Sequence, residues 1–250
     1  MEILKALVLG LIQGICEFLP ISSSGHLILA EKLLNIEGNI LLLNIILHVA
    51  TLLAICLVLK TELITIVKKP FSSYNKKLVV SVIPTIIIAV LMDIFLEGAF
   101  TGSFLAFGFL VTAALLIFDK LSTETVKNPD ISYKTAIIMG IVQGFATLPG
   151  ISRSGSTIAA GSLSGTEREK VTKFSFFMSV PVIIASTVYE IIFKSGVAGN
   201  FSFLFYAVSF LTAFISGIFA LKLMIKVVAN KRYFIFIIYL ILIAILSFFL

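Results

Sequence analysis

Most of this chain is apolar in long unbroken runs, and two stretches depart from that pattern in the same way. Runs of about 18–20 residues, enough to cross a hydrocarbon core, lie near 40–59, 78–96, 102–119, 174–193, 203–228 and 233–250. Each predicts a transmembrane helix. Segments 3–34 and 136–163 differ. Each begins as an apolar helix, breaks at a cluster of Pro, Ser and Gly, and resumes as a short apolar stretch, LILAEKLL in one and TIAAGSL in the other. The half-stretches are too short to span alone. Each segment therefore predicts a re-entrant helix pair that dips in and returns to the same side.

The two breaks are copies. GLIQGICEFLPISSSGH at 10–26 and GIVQGFATLPGISRSGS at 140–156 align without a gap at an offset of 130. Seven of seventeen positions are identical: Gly10/Gly140, Gln13/Gln143, Gly14/Gly144, Ile21/Ile151, Ser22/Ser152, Ser24/Ser154 and Gly25/Gly155. Polar, helix-breaking backbone at membrane depth survives only inside protein or beside a water-filled cavity. Two related copies predict one site built from both halves of the chain, 1–125 and 126–250.

Charge sets the orientation. With 60–77 cytoplasmic and 136–163 re-entrant, 120–134, 164–173 and 226–232 are cytoplasmic too. Those four stretches hold fourteen basic residues, from Lys60 to Arg232, whereas the outer stretches 35–39, 97–101 and 194–202 hold only Lys194. That is a strong positive-inside bias. Three spans after each re-entrant pair invert the second copy. The expected fold is an all-α polytopic membrane protein, an inverted repeat of six transmembrane helices plus two re-entrant pairs, with the loop tips meeting inside the bilayer and the site facing outward.

Composition agrees. The chain is 59% hydrophobic and 13% charged, with a mean hydropathy of +1.15, which excludes a soluble globule. The formal charge of +6 sits mainly in the loops just named, so it predicts no nucleic-acid partner. Cys16 and Cys56 have neither metal nor disulfide spacing and read as apolar fillers.

Few ionisable residues fall within the apolar segments, and six are singled out: Glu17, His26, His48, Asp93, Arg153 and Glu190. Each is expensive there and is a functional candidate by default. Glu17 follows Gln13 by four residues, so the two share a helix face just before the Pro20 break. The plainer reading is a structural polar pair; the functional one is a carboxylate that binds a hard cation or orients His26. Arg153 stands among Ser152, Ser154, Ser156 and Thr157, where a guanidinium and hydroxyls suit phosphate oxygens and the following helix offers its N-terminal amides. A structural ion pair with Glu17 is the rival reading. Ser22, Ser23, Ser24, Gly25 and His26 form the other loop. A hydroxyl beside an imidazole suits a nucleophile and its base, and the imidazole can also accept a phosphoryl group. Asp93 and Glu190 read as interfacial, and His48 as a helix–helix hydrogen bond.

On QGICEFLPISSSGH at 13–26, LHVATLLAICLVL at 47–59 and PGISRSGST at 149–157, the whole chain resembles the undecaprenyl pyrophosphate phosphatase family, also called bacitracin-resistance proteins. The resemblance implies an integral phosphatase of the bacterial cell membrane. Such an enzyme removes one phosphate from the C55 isoprenoid diphosphate carrier, for reuse in peptidoglycan synthesis. It implies Glu17, Ser23, His26 and Arg153 as catalytic residues. Gln13, Ser22, Ser24, Gly25, Ser152, Ser154 and Thr157 are the expected substrate contacts. Glu17 is the expected ligand of a divalent cation, Mg²⁺ or Ca²⁺. The family's (E/Q)xxxE pattern falls on Gln13 and Glu17, leaving one carboxylate where some members have two. Expected partners are the isoprenoid diphosphate and membrane lipid; a homodimer stays open. The rival function is an inverted-repeat transporter or flippase of an anionic or phosphorylated lipid. A type-2 phosphatidic-acid phosphatase has similar Ser-Gly-His and Ser-Arg motifs, but its upstream Lys/Arg-Pro motif and its later His with Asp are missing here.

Overall fold

The computed structural model describes residues 1–36, 40–96, 104–122, 130–193, 201–229 and 233–249. Among them are eleven helices and no strand. In order they are α1 (Glu2–Phe18), α2 (Ser23–Leu33), α3 (Leu41–Val58), α4 (Lys60–Lys68), α5 (Ser73–Phe95), α6 (Leu105–Leu121), α7 (Tyr133–Phe145), α8 (Arg153–Leu163), α9 (Arg168–Phe193), α10 (Phe203–Ala229) and α11 (Phe234–Ser247). This is an all-α polytopic membrane protein. Helices α3, α5, α9 and α10 are each long and apolar enough to cross a bilayer. The other two expected spans are the shorter helices α6, of 17 residues, and α11, of 14.

Both expected broken pairs are present. Helix α1 ends where Leu19, the residue before Pro20, turns extended at φ −72°, ψ 152°. That is the conformation the proline ring imposes on its predecessor. Helix α2 then starts on a Ser22 cap, whose side chain accepts from the Gly25 amide. The second pair repeats the device, with Ser152 capping α8 by accepting from the Gly155 amide. Gly150 in the second break has φ +86°, and a Cβ there would lie 2.6 Å from the Leu105 carbonyl oxygen. Only glycine fits that position.

The packing exchanges partners between the halves. Helix α1 lies along α10, and its repeat counterpart α7 lies along α5; α6 packs on α11, and α3 on α9. Under the 130-residue offset, α1 corresponds to α7 and α5 to α10, so the first two pairs are one contact made twice. Equivalent glycines make both. A Cβ on Gly10 would fall 2.6 Å from the Ser209 carbonyl oxygen of α10, and one on Gly140 would fall 2.1 Å from the Ser81 carbonyl oxygen of α5. Small residues let helix backbones approach this closely in a membrane. Because the neighbour at Gly140 is backbone, Gly140→Ala should cost about 3 kcal/mol through forced separation of α5 and α7. Thermal unfolding in detergent reads it, and a midpoint unchanged from wild type would mean the helices have room to part.

Two features depart from the sequence reading. The stretch 60–77, expected as loop, contains α4. Its Leu63 and Ile66 pack on the core, and Glu62 pairs with Lys173 of α9 at 3.1 Å. Arg168, expected only as a cytoplasmic charge, opens α9 and forks onto the fully buried Asp119 of α6. Its Nη1 reaches Oδ2 at 2.5 Å, its Nη2 reaches Oδ1 at 2.6 Å, and Nη1 also reaches the Tyr233 hydroxyl at 3.2 Å. The fork ties α6, α9 and the start of α11 together. Asp119→Ala would strand a mostly buried guanidinium, which typically costs about 3–5 kcal/mol. The expected result is a midpoint lowered by about 10 °C with turnover per folded molecule near wild type. An unchanged midpoint would show that the fork contributes no net stability.

Candidate functional site

The two breaks meet. Ser154 Oγ donates to the Leu19 carbonyl at 3.2 Å, so the second loop's hydroxyl satisfies the end of α1. Gly155 rests against Pro20, and Gly25 against Gly150. Gly25 and Gly155 are repeat counterparts, and each lets the opposing loop approach. The N-termini of α2 and α8 therefore meet in one small region, where helix N-terminal dipoles favour an anion.

Glu17 is the centre of this region. One arm of Arg153, Nη2, donates to Glu17 Oε1 across 136 positions of sequence. Ser23 Oγ donates to Oε2 at 2.5 Å, and Gln13 Nε2 donates to the same oxygen at 3.3 Å. The Glu17 side chain is 5% exposed and that of Arg153 is 19% exposed. The carboxylate is thus sealed inside, while the Arg153 side chain stays partly exposed. The rest of the polar set is buried, Gln13, Ser22, His26, Ser152, Ser154, Ser156 and Thr157 included. Ser23 is half-buried and Ser24 exposed, so the region opens at its Ser23–Ser24 edge.

His26 is held elsewhere than its spacing suggests. Its Nδ1 lies 2.7 Å from the Ser22 carbonyl oxygen and its Nε2 lies 2.6 Å from the Tyr239 hydroxyl of α11. Ser23 is hydrogen-bonded to Glu17 instead, so the hydroxyl–imidazole pair read from the Ser-Gly-His sequence does not form. Nor does Glu17 orient His26. The reason lies in the helix geometry. Ser23 and His26 are three residues apart on α2, but the ring turns back onto its own N-cap carbonyl. Ser22 itself takes φ 70°, an unusual conformation for a residue with a side chain. Its repeat partner Ser152 stays at φ −74°.

The remaining expected contacts are structural in their bonding. Ser22 Oγ lies 3.4 Å from Ser24 Oγ, and Ser152 Oγ lies 3.3 Å from Ser154 Oγ, the same pairing in both copies. Thr157 Oγ1 donates to the Arg153 carbonyl at 2.7 Å and meets Ser175 Oγ of α9 at 2.6 Å. His48 bonds within its own helix, Nδ1 to the Asn44 carbonyl at 2.8 Å, rather than to another helix as expected. The i−4 carbonyl is the nearest acceptor on a membrane helix. Asp93 is exposed near the end of α5, and Glu190 is half-buried near the end of α9.

Three supporting residues escaped the sequence reading: Tyr239, Ser175 and Thr112. Thr112 of α6 accepts from the Ser152 amide at 2.9 Å and donates to the Gly150 carbonyl at 3.2 Å, pinning the second loop. Each sits in a run read simply as a transmembrane span, where its hydroxyl carries no local signal.

As for metals, among the described residues no three His, Cys, Asp or Glu side chains gather into a metal-holding group. The candidate donors around Glu17 are all oxygens: its own carboxylate, Ser23 Oγ, and Gln13 Oε1, which is buried without a hydrogen-bond partner. One carboxylate and two neutral oxygens fit a hard cation, provided phosphate oxygens supply much of its shell.

The family described as bacitracin resistance protein BacA matches residues 6–246. The chain belongs to it. Proteins named undecaprenyl-diphosphatase are similar over nearly their full lengths. One from Thermosipho africanus is 43% identical, covering 97% of this chain and 98% of its own. One from Bacteroides fragilis is 39% identical, covering 96% and 94%. One from Carboxydothermus hydrogenoformans is 35% identical, covering 93% and 91%. The BacA match spans both broken helix pairs, so the paired loops belong to the region that defines membership.

Proposed function

We propose that this protein hydrolyses undecaprenyl diphosphate to undecaprenyl phosphate and inorganic phosphate. The observation that carries the reading is the Arg153–Glu17–Ser23 chain of contacts, assembled from two distant loops and buried among apolar helices. An amphiphile can keep its tail among the spans and place its head group there. Membership in the BacA family and the names of its relatives support the same reaction.

In the mechanism we favour, Arg153 turns its exposed face to the terminal phosphate and offsets charge in transfer. First-turn amides of α2 and α8 supply further donors. Ser23 attacks the terminal phosphorus as Glu17 Oε2 takes its proton, a role supported by the 2.5 Å hydrogen bond between them. The bond from that phosphorus to the bridging oxygen breaks, and the lipid monophosphate leaves with its electron pair. Glu17 passes that proton to the departing bridging oxygen; water then gives a proton to Glu17 as it cleaves the phosphoseryl bond, and Glu17 returns it to Ser23. A bound Mg²⁺ or Ca²⁺, held by Glu17 and Gln13 Oε1, would neutralise the diphosphate and orient it. Attack by His26 is disfavoured because both ring nitrogens are engaged. The charge distribution supports a bacterial cell membrane with the site on the outer side.

A transporter is the second reading, favoured by the exchanged packing of the two halves. Purified protein in detergent discriminates. Phosphate release from the C55 diphosphate, stopped by a chelator and restored by Mg²⁺ or Ca²⁺, is expected. Silence in detergent with lipid movement in sealed vesicles would overturn the enzyme reading.

A further inference from the structure

Tyr239 belongs to α11, the last helix, yet it touches the first loop of the chain. Its hydroxyl lies 2.6 Å from His26 Nε2, and its ring stacks on the imidazole at 5.5 Å and 11°. Phe109 of α6 closes the other side edge-on at 5.3 Å. The opposite nitrogen, Nδ1, faces the Ser22 carbonyl. A carbonyl only accepts, so Nδ1 must carry a proton. In the neutral ring Nε2 is then the bare nitrogen, and the Tyr239 O–H is its donor. The Ser22 carbonyl and the stacked tyrosine act together: one fixes the tautomer, the other fixes the ring plane and covers the basic nitrogen. Tyr239 is itself 38% exposed, so its hydroxyl lies between His26 and the surroundings of the bundle.

We propose that Tyr239 is a positioning residue for the phosphatase site, which holds His26 in the Nδ1–H form and the first loop in its reactive shape. The proposal rests on the phosphatase reading given above. Its consequence is that the site needs the far end of the chain as well as the two loops. Holding the imidazole also holds the Ser22 carbonyl, and through it the start of α2, where Ser23 sits.

The test uses full-length protein in detergent with Tyr239→Phe, which removes one oxygen and keeps the stack. Turnover of the C55 diphosphate and the ¹⁵N resonances of the two histidines are both measured. The expected result is kcat lower by about tenfold, in the range typical of lost supporting contacts, with KM within about twofold. The His26 Nε2 resonance should move to that of an unbonded ring nitrogen while the His48 resonances stay put. Tyr239→Leu, which also removes the stack, should lower kcat further. An unmoved Nε2 resonance overturns the proposal whatever the activity. A moved resonance with kcat unchanged also overturns it, since the contact would then have no bearing on catalysis. If wild-type protein releases no phosphate, the phosphatase reading fails, and that failure is visible separately from the resonance.

Discussion

Arg153→Ala should cut phosphate release from the C55 diphosphate by about 10³-fold or more, the scale on which an arginine serves phosphoryl transfer. Stability should fall as well. Removing the guanidinium leaves Glu17 buried with only Ser23 and Gln13 to satisfy it. A buried ion left without its partner typically costs about 3–5 kcal/mol, and the two remaining donors place this case near the lower end. The two losses must be separated, because a purely structural ion pair would also lower activity by unfolding the protein. Glu17→Gln combined with Arg153→Ala does so. It removes both charges, and the amide introduced in place of the carboxylate can still bond to Ser23, so the thermal midpoint should recover by several degrees. Activity should not recover. Recovery of both together would mean that the pair only holds the loops shut and that phosphate is bound elsewhere. Arg153→Lys adds a further check. It keeps the charge but loses the planar fork, so it should stabilise Glu17 better than alanine does while restoring little turnover.

The all-α membrane fold was legible in the sequence because each apolar run carries its own length signal. The site's two loops were legible because they are repeats, and a repeat of helix-breaking residues within apolar sequence has few uses. The Glu17–Arg153 contact was the rival, structural reading of Arg153, and it is present. It does not by itself exclude the functional reading, since the Arg153 side chain remains 19% exposed. What could not be read was side-chain direction. Ser23 and His26 look like a pair in one dimension, whereas in the fold the imidazole turns toward α11 and the hydroxyl toward α1. Tyr239 lies 213 residues from His26, in a run where any residue would have read simply as span. Helix α4 was hidden for a different reason. Its lysines dominated the reading of 60–77, although Leu63, Ile64, Ile66 and Val67 follow a helical spacing.

Ser23→Ala should cut turnover by about 10³-fold or more, as loss of a nucleophile does when only binding and charge stabilisation remain. His26→Ala should cost less, about 10–100-fold, because the imidazole supports the loop and does not face the substrate in this arrangement. The ranking is the informative quantity. Both variants keep Arg153 and Glu17, so both should still bind the diphosphate, and KM should stay within a few fold for each. Removing the Ser23 hydroxyl also frees Glu17 Oε2 from its 2.5 Å partner, which leaves the carboxylate short of one donor but still paired with Arg153. The stability cost should therefore be small beside the catalytic loss. Rapid quenching of wild-type protein with labelled substrate should trap phosphate on Ser23 in an acid-stable form. Phosphate trapped instead on His26, in an acid-labile form, together with the larger loss in His26→Ala, would reverse the assignment. In that case Tyr239 would have to swing away before each turnover to bare Nε2, and Tyr239→Phe would raise the rate of attack instead of lowering it. The sign of that one substitution therefore separates a tyrosine that positions the histidine from a tyrosine that blocks it.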